Sequence, residues 1–186
     1  MSIQCAALLI VLLVLGAQGM GCKAQSAQLV ATELNRTCDR IRTDIEGKKG
    51  LIKELPDSNL AEGGEATAFN GPSGICYMHV VWYGETGRNE VEYYFEDDSL
   101  FFAQDRHVEY NRPIYWDKEH AETNGDTVVF DASLSRVEEN RYYFEHHRLI
   151  LWLGPDNKAV DLTLGTNTLV GQGLIGHAYI ARQAFE

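Results

Sequence analysis

Apolar residues recur at helical spacing near both ends of the chain. Val30, Leu34, Cys38, Ile41 and Ile45 follow one another at intervals of three or four residues, which places them on one stripe of a helix over residues 26–46. The same spacing recurs from residue 167 or 168 to residue 185. The pattern therefore predicts one N-terminal and one C-terminal helix.

Between these helices the apolar residues alternate with polar ones, which is typical of strands. The predicted strands are residues 65–70, 75–83, 90–96, 100–104, 141–145 and 148–153, with a further short strand at 127–130. The sequence Tyr-Tyr-Phe-Glu occurs at residues 93–96 and again at 142–145, and an apolar run follows each copy. We therefore expect two similar antiparallel hairpins in one sheet.

The predicted fold class is α+β, with an antiparallel sheet of about five to seven strands and both helices packed on one face. In this arrangement Cys38 on the helix and Cys76 on the apolar side of a strand come close together. The pattern allows either a disulfide, which would stabilise the fold by about 4 kcal/mol, or two buried thiols.

The first 22 residues form a separate segment because they contain no Asp, Glu, Lys, Arg or His. Residues 6–15 are an apolar run followed by small residues, which is typical of a secretory signal peptide and shorter than the roughly 20 residues that span a bilayer. Residues 15–22 resemble the lipobox of bacterial lipoproteins, so Cys22 is the predicted lipidated N-terminus. An uncleaved anchor and a soluble secreted form are the alternatives.

The remaining residues, 23–186, are predicted to form a single exported domain. They contain all 27 acidic and all 16 basic residues of the chain, whose formal net charge is −11. This acidity argues against a nucleic-acid partner, since such a protein needs a basic face to replace phosphate counterions. We expect a location in the bacterial periplasm or at the outer membrane.

Three motifs resemble a group of small, uncharacterised bacterial lipoproteins or periplasmic proteins. They are the Gly-Gly-Glu stretch at residues 63–65 and the Tyr-Tyr-Phe hairpins beginning at Tyr93 and Tyr142. The resemblance covers residues 55–185 and implies an exported, compact domain. It implies no activity, and it supplies no catalytic residues.

The chain lacks the sequence motifs of common catalytic and cofactor sites. It contains no Gly-x-Ser-x-Gly, phosphate loop, dinucleotide fingerprint or Cys-x-x-Cys, so we predict no catalytic residues and no cofactor. His146 and His147 are adjacent, and adjacent strand residues point to opposite faces, so we predict no metal site. A cell-envelope hydrolase is the alternative, with His79 or His107 beside a carboxylate such as Glu92 or Glu109.

An aromatic and acidic surface is the predicted binding site. Its residues are Tyr77, Tyr94, Tyr143 and Trp152 on a sheet face turned away from the helices, Tyr115 and Trp116 in a loop, and Glu92. Ordinary cross-strand packing is the alternative for the aromatic residues. Another alternative is an inhibitory or structural protein that uses the acidic hairpin of residues 85–98. The sequence thus favours a lipid-anchored, non-enzymatic module that binds an envelope protein or ligand.

Overall fold

The computed structural model describes residues 28–55 and 62–186. The predicted signal segment of residues 1–22, including Cys22, lies outside the described residues. Three helices are described: α1 over residues 28–45, α2 over Lys118–Thr123 and α3 over Gly165–Gln183. The strands are β1 Leu51–Leu55, β2 Gly64–Gly71, β3 Gly74–Gly84, β4 Gly87–Glu96, β5 Ser99–Glu109, β6 Arg136–Glu145 and β7 Arg148–Leu153.

The seven strands form one antiparallel sheet in which spatial order equals chain order. The predicted α+β class, with one helix at each end, is confirmed. Strand β1 was not predicted, because its five residues are mostly exposed and show no alternation. Residues 127–130 are not a strand; they belong to the connection between β5 and β6, which also contains α2 and a short 3-10 turn at Ala132–Leu134.

The hairpins β4–β5 and β6–β7 are built alike, as their repeated sequence predicts. In each hairpin the pairing shifts by one residue, after Tyr94 in the first and after Tyr143 in the second, which leaves Phe101 and Ile150 as bulge residues. Both hairpins close through two-residue turns in which neither residue is glycine. The turn residues, all with positive φ, are Asp97, Asp98, His146 and His147.

The two long helices cover opposite faces of the sheet, so the predicted packing on a single face is wrong. Helix α3 packs through Ala178 and Ala181 on a core that includes Tyr93 and Phe95. Helix α1 packs on the other face through Ala31, Cys38 and Ile41, against a core that includes Tyr94, Phe102 and Tyr143.

The physical reason lies in the Tyr-Tyr-Phe sequences. Tyr93, Tyr94 and Phe95 are consecutive and all buried, although neighbouring strand residues point to opposite faces. A strand that is apolar on both faces needs a covering layer on each side. Helix α1 supplies one layer and α3 supplies the other.

Cys38 and Cys76 are free thiols, so the disulfide that the sequence allowed is not formed. Cys76 is a bulge residue of β3 and therefore turns away from the α3 face towards α1. Its charged neighbours are Asp44, near the C-terminal end of α1, and Lys48, three residues beyond that helix. Asp44 is six residues beyond Cys38, or roughly 9 Å along the helix axis. Burial raises the pKa of Cys38 to about 12, which makes this thiol a poor nucleophile.

Within the described residues, no helix combines the length and the apolar character needed to cross a membrane.

Candidate functional site

The aromatic residues of the predicted binding surface do not share one exposed face. Tyr94 and Tyr143 are 0% exposed beneath α1, so they belong to the core and cannot meet a ligand. Tyr77 packs against the same core, with its ring centroid 5.0 Å from that of Tyr94. Trp152 lies on the opposite face, stacked beside Tyr142. The alternative of ordinary cross-strand packing therefore accounts for these residues.

Tyr115 and Trp116 lie apart from the sheet, in the connection between β5 and β6. Tyr115 is exposed, and both rings contact the imidazole of His120 in α2. The indole nitrogen of Trp116 is buried without a hydrogen-bond partner among the described residues. These contacts indicate that Trp116 packs the connection together rather than presenting its ring to solvent.

Glu92 joins α1 to the sheet. Arg42 of α1 lies 3.1 Å from its carboxylate, and the Tyr94 hydroxyl donates a hydrogen bond to the same oxygen at 2.7 Å. Burial and this hydrogen bond raise the pKa of Tyr94, so its phenol remains protonated. Glu92 is thus a structural anchor, with a side chain that is only 18% exposed.

Arginines pair with some of the acidic residues in the hairpin at residues 85–98. Arg88 lies 2.6 Å from the Glu90 carboxylate, and Arg106 lies 3.5 Å from it and 3.3 Å from Glu139. Although burial opposes the shift, the hydrogen bond and charge of Arg88 hold the pKa of Glu90 below its usual range. Glu90 and Glu92 are thus paired, and Asp98 is paired with Arg182, whereas Glu85, Glu96 and Asp97 form no ion pair among the described residues. Part of the negative charge of this hairpin therefore remains uncompensated.

A cleft at the end of the sheet brings together polar and aromatic side chains. We call it the end cleft; its volume is about 540 Å³, within the range of small-molecule sites. Its main side chains are Trp82, Tyr83, Arg88, Asn89, His107 and Tyr110. Trp82 on β3, Asn89 on β4 and His107 on β5 lie directly opposite one another, so the register of the three strands brings these side chains together.

Hydrogen bonds within the end cleft fix its polar side chains. Nδ1 of His107 lies 2.6 Å from the side-chain oxygen of Asn89, within hydrogen-bond distance. Arg88 is held between Glu90 and the hydroxyl of Tyr110, with which it shares a 3.4 Å hydrogen bond. The cleft therefore presents preorganised groups, and the positive charge of Arg88 is already paired.

Asp105 extends this polar region along the face that α3 covers. It lies two residues before His107 on β5, directly opposite Val91 of β4 and Asn140 of β6. Burial raises the pKa of its carboxyl, while the nearby His107 acts in the opposite direction. Within the described chain, this carboxyl makes no side-chain hydrogen bond and no ion pair.

The histidines proposed for acid–base chemistry lie near carboxylates. His79 is directly opposite Glu92 in the register of β3 and β4, and His107 shares a strand face with Asp105 and Glu109. Among residues 28–55 and 62–186, no group of three His, Cys, Asp or Glu side chains could hold a metal ion. His146 and His147 form the turn between β6 and β7.

A larger groove, of about 590 Å³, lies at the opposite end of the sheet between α1 and the turn that joins β2 to β3. Ile41, Ile45 and Ile75 supply its apolar side, and Cys76 is its nucleophilic group. Burial raises the pKa of Cys76, so a reactive thiolate is disfavoured. The thiol of Cys76 therefore supplies no reactive thiolate to this groove.

No known protein family, no curated protein and no solved structure matches this chain.

Sequence reasoning missed Asn89, Asp105 and Asn140 as site residues. The predicted strand stopped at Gln104, whereas β5 continues to Glu109. The signal that could have revealed them is the strand alternation beyond Gln104, which places Asp105 and His107 on one face and Arg106 and Val108 on the other. Extending the strand by that alternation would have placed the acid and the histidine side by side.

Proposed function

We propose that this protein is a non-enzymatic binding module that takes up a small polar ligand in the end cleft. The observation that supports this most directly is the hydrogen-bonded pair of His107 and Asn89 beside the ring of Trp82. Polar groups that are already oriented lose little conformational entropy when a ligand binds. Aromatic side chains next to them supply apolar contact area for the same ligand.

The arrangement favours binding over turnover because the polar groups bond to one another. His107 is engaged with an amide, and Arg88 is engaged with a carboxylate and a phenol. A general base is expected instead to lie within hydrogen-bond reach of a nucleophile or a reacting proton.

We further propose that the domain is exported and tethered to the bacterial envelope through a lipid on Cys22. The support is the uncharged apolar segment of residues 1–22 and its lipobox-like end. Labelling cells with an alkyne analogue of palmitate should tag the wild-type protein and not the Cys22→Ser variant. The matched control Cys5→Ser should still be tagged; equal labelling of the Cys22→Ser variant would exclude this anchor.

The ligand proposal can be tested by NMR with defined soluble fragments of the envelope. Peptidoglycan fragments and envelope oligosaccharides would be titrated into the protein while the indole N–H of Trp82 and the ring of His107 are observed. We expect at least one probe class to shift both signals, and His107→Ala to weaken that binding. His147→Ala, which changes a turn histidine at the other end of the sheet, is the control. A panel that leaves both signals unmoved would refute the proposal.

A hydrolase remains the second candidate, because His79 lies directly opposite Glu92 and His107 lies near Asp105. Such an enzyme should release products from the same fragments during prolonged incubation, and His79→Ala or His107→Ala should abolish the release. Binding without product formation would favour the module.

A further inference from the structure

Asp105 differs from the other half-buried acids of the central strands because no cation of the described chain pairs with it. On the opposite face of the same strands, Glu90 is paired with Arg88 and Arg106, and Glu92 is paired with Arg42. A half-buried carboxylate without a partner is unfavourable in a folded protein. Its retention on this face therefore calls for an explanation.

The surroundings of Asp105 are aromatic on one side and polar on the other. Tyr93 and Tyr142 lie on the same face, each diagonally across from it, and Asp105 adds to the effect of burial in raising the pKa of both phenols. Trp152 stacks on Tyr142 with ring centroids 5.2 Å apart, and its indole N–H donates to Asn140. The carboxylate thus lies between these aromatic rings and His107. His107 lines the end cleft, and Asp105 lies one same-face position beyond the residues that line it.

We propose that Asp105 is the counter-ion for a primary alkylammonium group carried by the ligand of the end cleft. An ammonium group would supply the missing charge partner of the carboxylate, and the neighbouring rings favour a cation over a neutral group. The titratable groups that face Asp105 are His107 on β5, Tyr93 on β4 and Tyr142 on β6. The tyrosines are neutral at pH 7, so they do not compete for the ammonium.

This inference rests on the proposed function, because the ammonium group belongs to the ligand of the end cleft. The two proposals are nevertheless tested separately. Cyclohexylamine, protonated at pH 7, and cyclohexanol have the same ring and differ in the charge of one substituent. NMR titration of the full chain, observed at the indole N–H groups of Trp82 and Trp152, gives the affinity of each probe. We expect the ammonium to bind about tenfold more tightly than the alcohol.

The variants decide whether Asp105 is responsible. Asp105→Asn keeps the size of the side chain and should remove the preference for the ammonium. Glu96→Gln, which neutralises an exposed carboxylate at the far end of β4, should leave it unchanged. Equal affinity for the two probes, no binding of either, or an undiminished preference in Asp105→Asn would overturn the assignment. If envelope fragments still bind in the end cleft, such a result leaves the proposed function standing.

Discussion

The two equivalent tyrosines of the repeated hairpins should differ in how much their hydroxyl groups stabilise the fold. Tyr94 and Tyr143 are both 0% exposed, and both contact Phe102 from either side. The Tyr94 hydroxyl donates to the carboxylate of Glu92 at 2.7 Å, whereas that of Tyr143 donates to the neutral amide of Asn35 at 3.1 Å. A change to Phe keeps each ring and removes only the hydrogen bond.

A hydrogen bond to a charged group contributes about 1.5 to 3 kcal/mol, and one between neutral groups contributes about 1 kcal/mol. We therefore expect Tyr94→Phe to lower the free energy of unfolding by about 2 kcal/mol, and Tyr143→Phe to lower it by about half as much. Urea unfolding followed by circular dichroism measures both values. Similar slopes against urea concentration would show that the variants unfold to comparable states.

A double-mutant cycle makes this prediction more stringent. In a Glu92→Gln background the acceptor of Tyr94 is neutral, so Tyr94→Phe should then cost only about 1 kcal/mol. The cost of Tyr143→Phe should not change in that background, since its partner is Asn35. A larger loss for Tyr143→Phe than for Tyr94→Phe, or an unchanged loss for Tyr94→Phe in the Gln background, would refute the reasoning.

Four further substitutions test the packing of α3, a hairpin turn and the unpaired acid. Gly171→Ala would place a Cβ atom 2.7 Å from that of Leu149, so we expect the free energy of unfolding in urea to fall by about 1 to 3 kcal/mol. Gly173→Ala would meet nothing within 4 Å, so the same free energy should rise by about 0.5 to 1 kcal/mol. His147→Gly relieves a positive φ in the β6–β7 turn, and thermal unfolding should show a gain of about 1 kcal/mol; a lower melting temperature would contradict it. Folding raises the pKa of Asp105, so protonation of its carboxyl stabilises the folded state. This stabilisation is complete below the unfolded-state pKa and is lost as pH rises through the folded-state pKa. Asp105→Asn should therefore be more stable than wild type at pH 7, and an advantage that does not shrink as the medium is acidified would count against this sign.

Regular periodicity accounts for the part of the fold that could be predicted. The stripe that includes Cys38 and Ile41 gave α1, and strand alternation gave six of the strands. Alternation alone could not predict the bulges. In a bulge, one extra residue in a strand moves a side chain to the face opposite the one that alternation assigns to it. Cys76 and Phe101 both lie on the α1 side for this reason.

The opposite placement of the two helices could have been predicted from a signal that periodicity does not use. Three successive large apolar residues at Tyr93, Tyr94 and Phe95 indicate a strand buried on both faces. The end cleft was harder to predict, since it depends on cross-strand neighbours. Trp82, Asn89 and His107 are far apart in sequence and meet only through the register of three strands.

The sequential order of the strands has a consequence for the way this chain folds. Each strand pairs only with its neighbours in sequence, so most sheet contacts are local and loop closure costs little until the long β5–β6 connection. The sheet can therefore assemble strand by strand in the direction of synthesis. Residues 28–45 are synthesised before the hairpins that α1 covers, so the apolar stripe of α1 lacks its packing partners until β4 to β7 are in place. Helix α3 comes last in the chain, and its docking completes the second covering layer of the sheet.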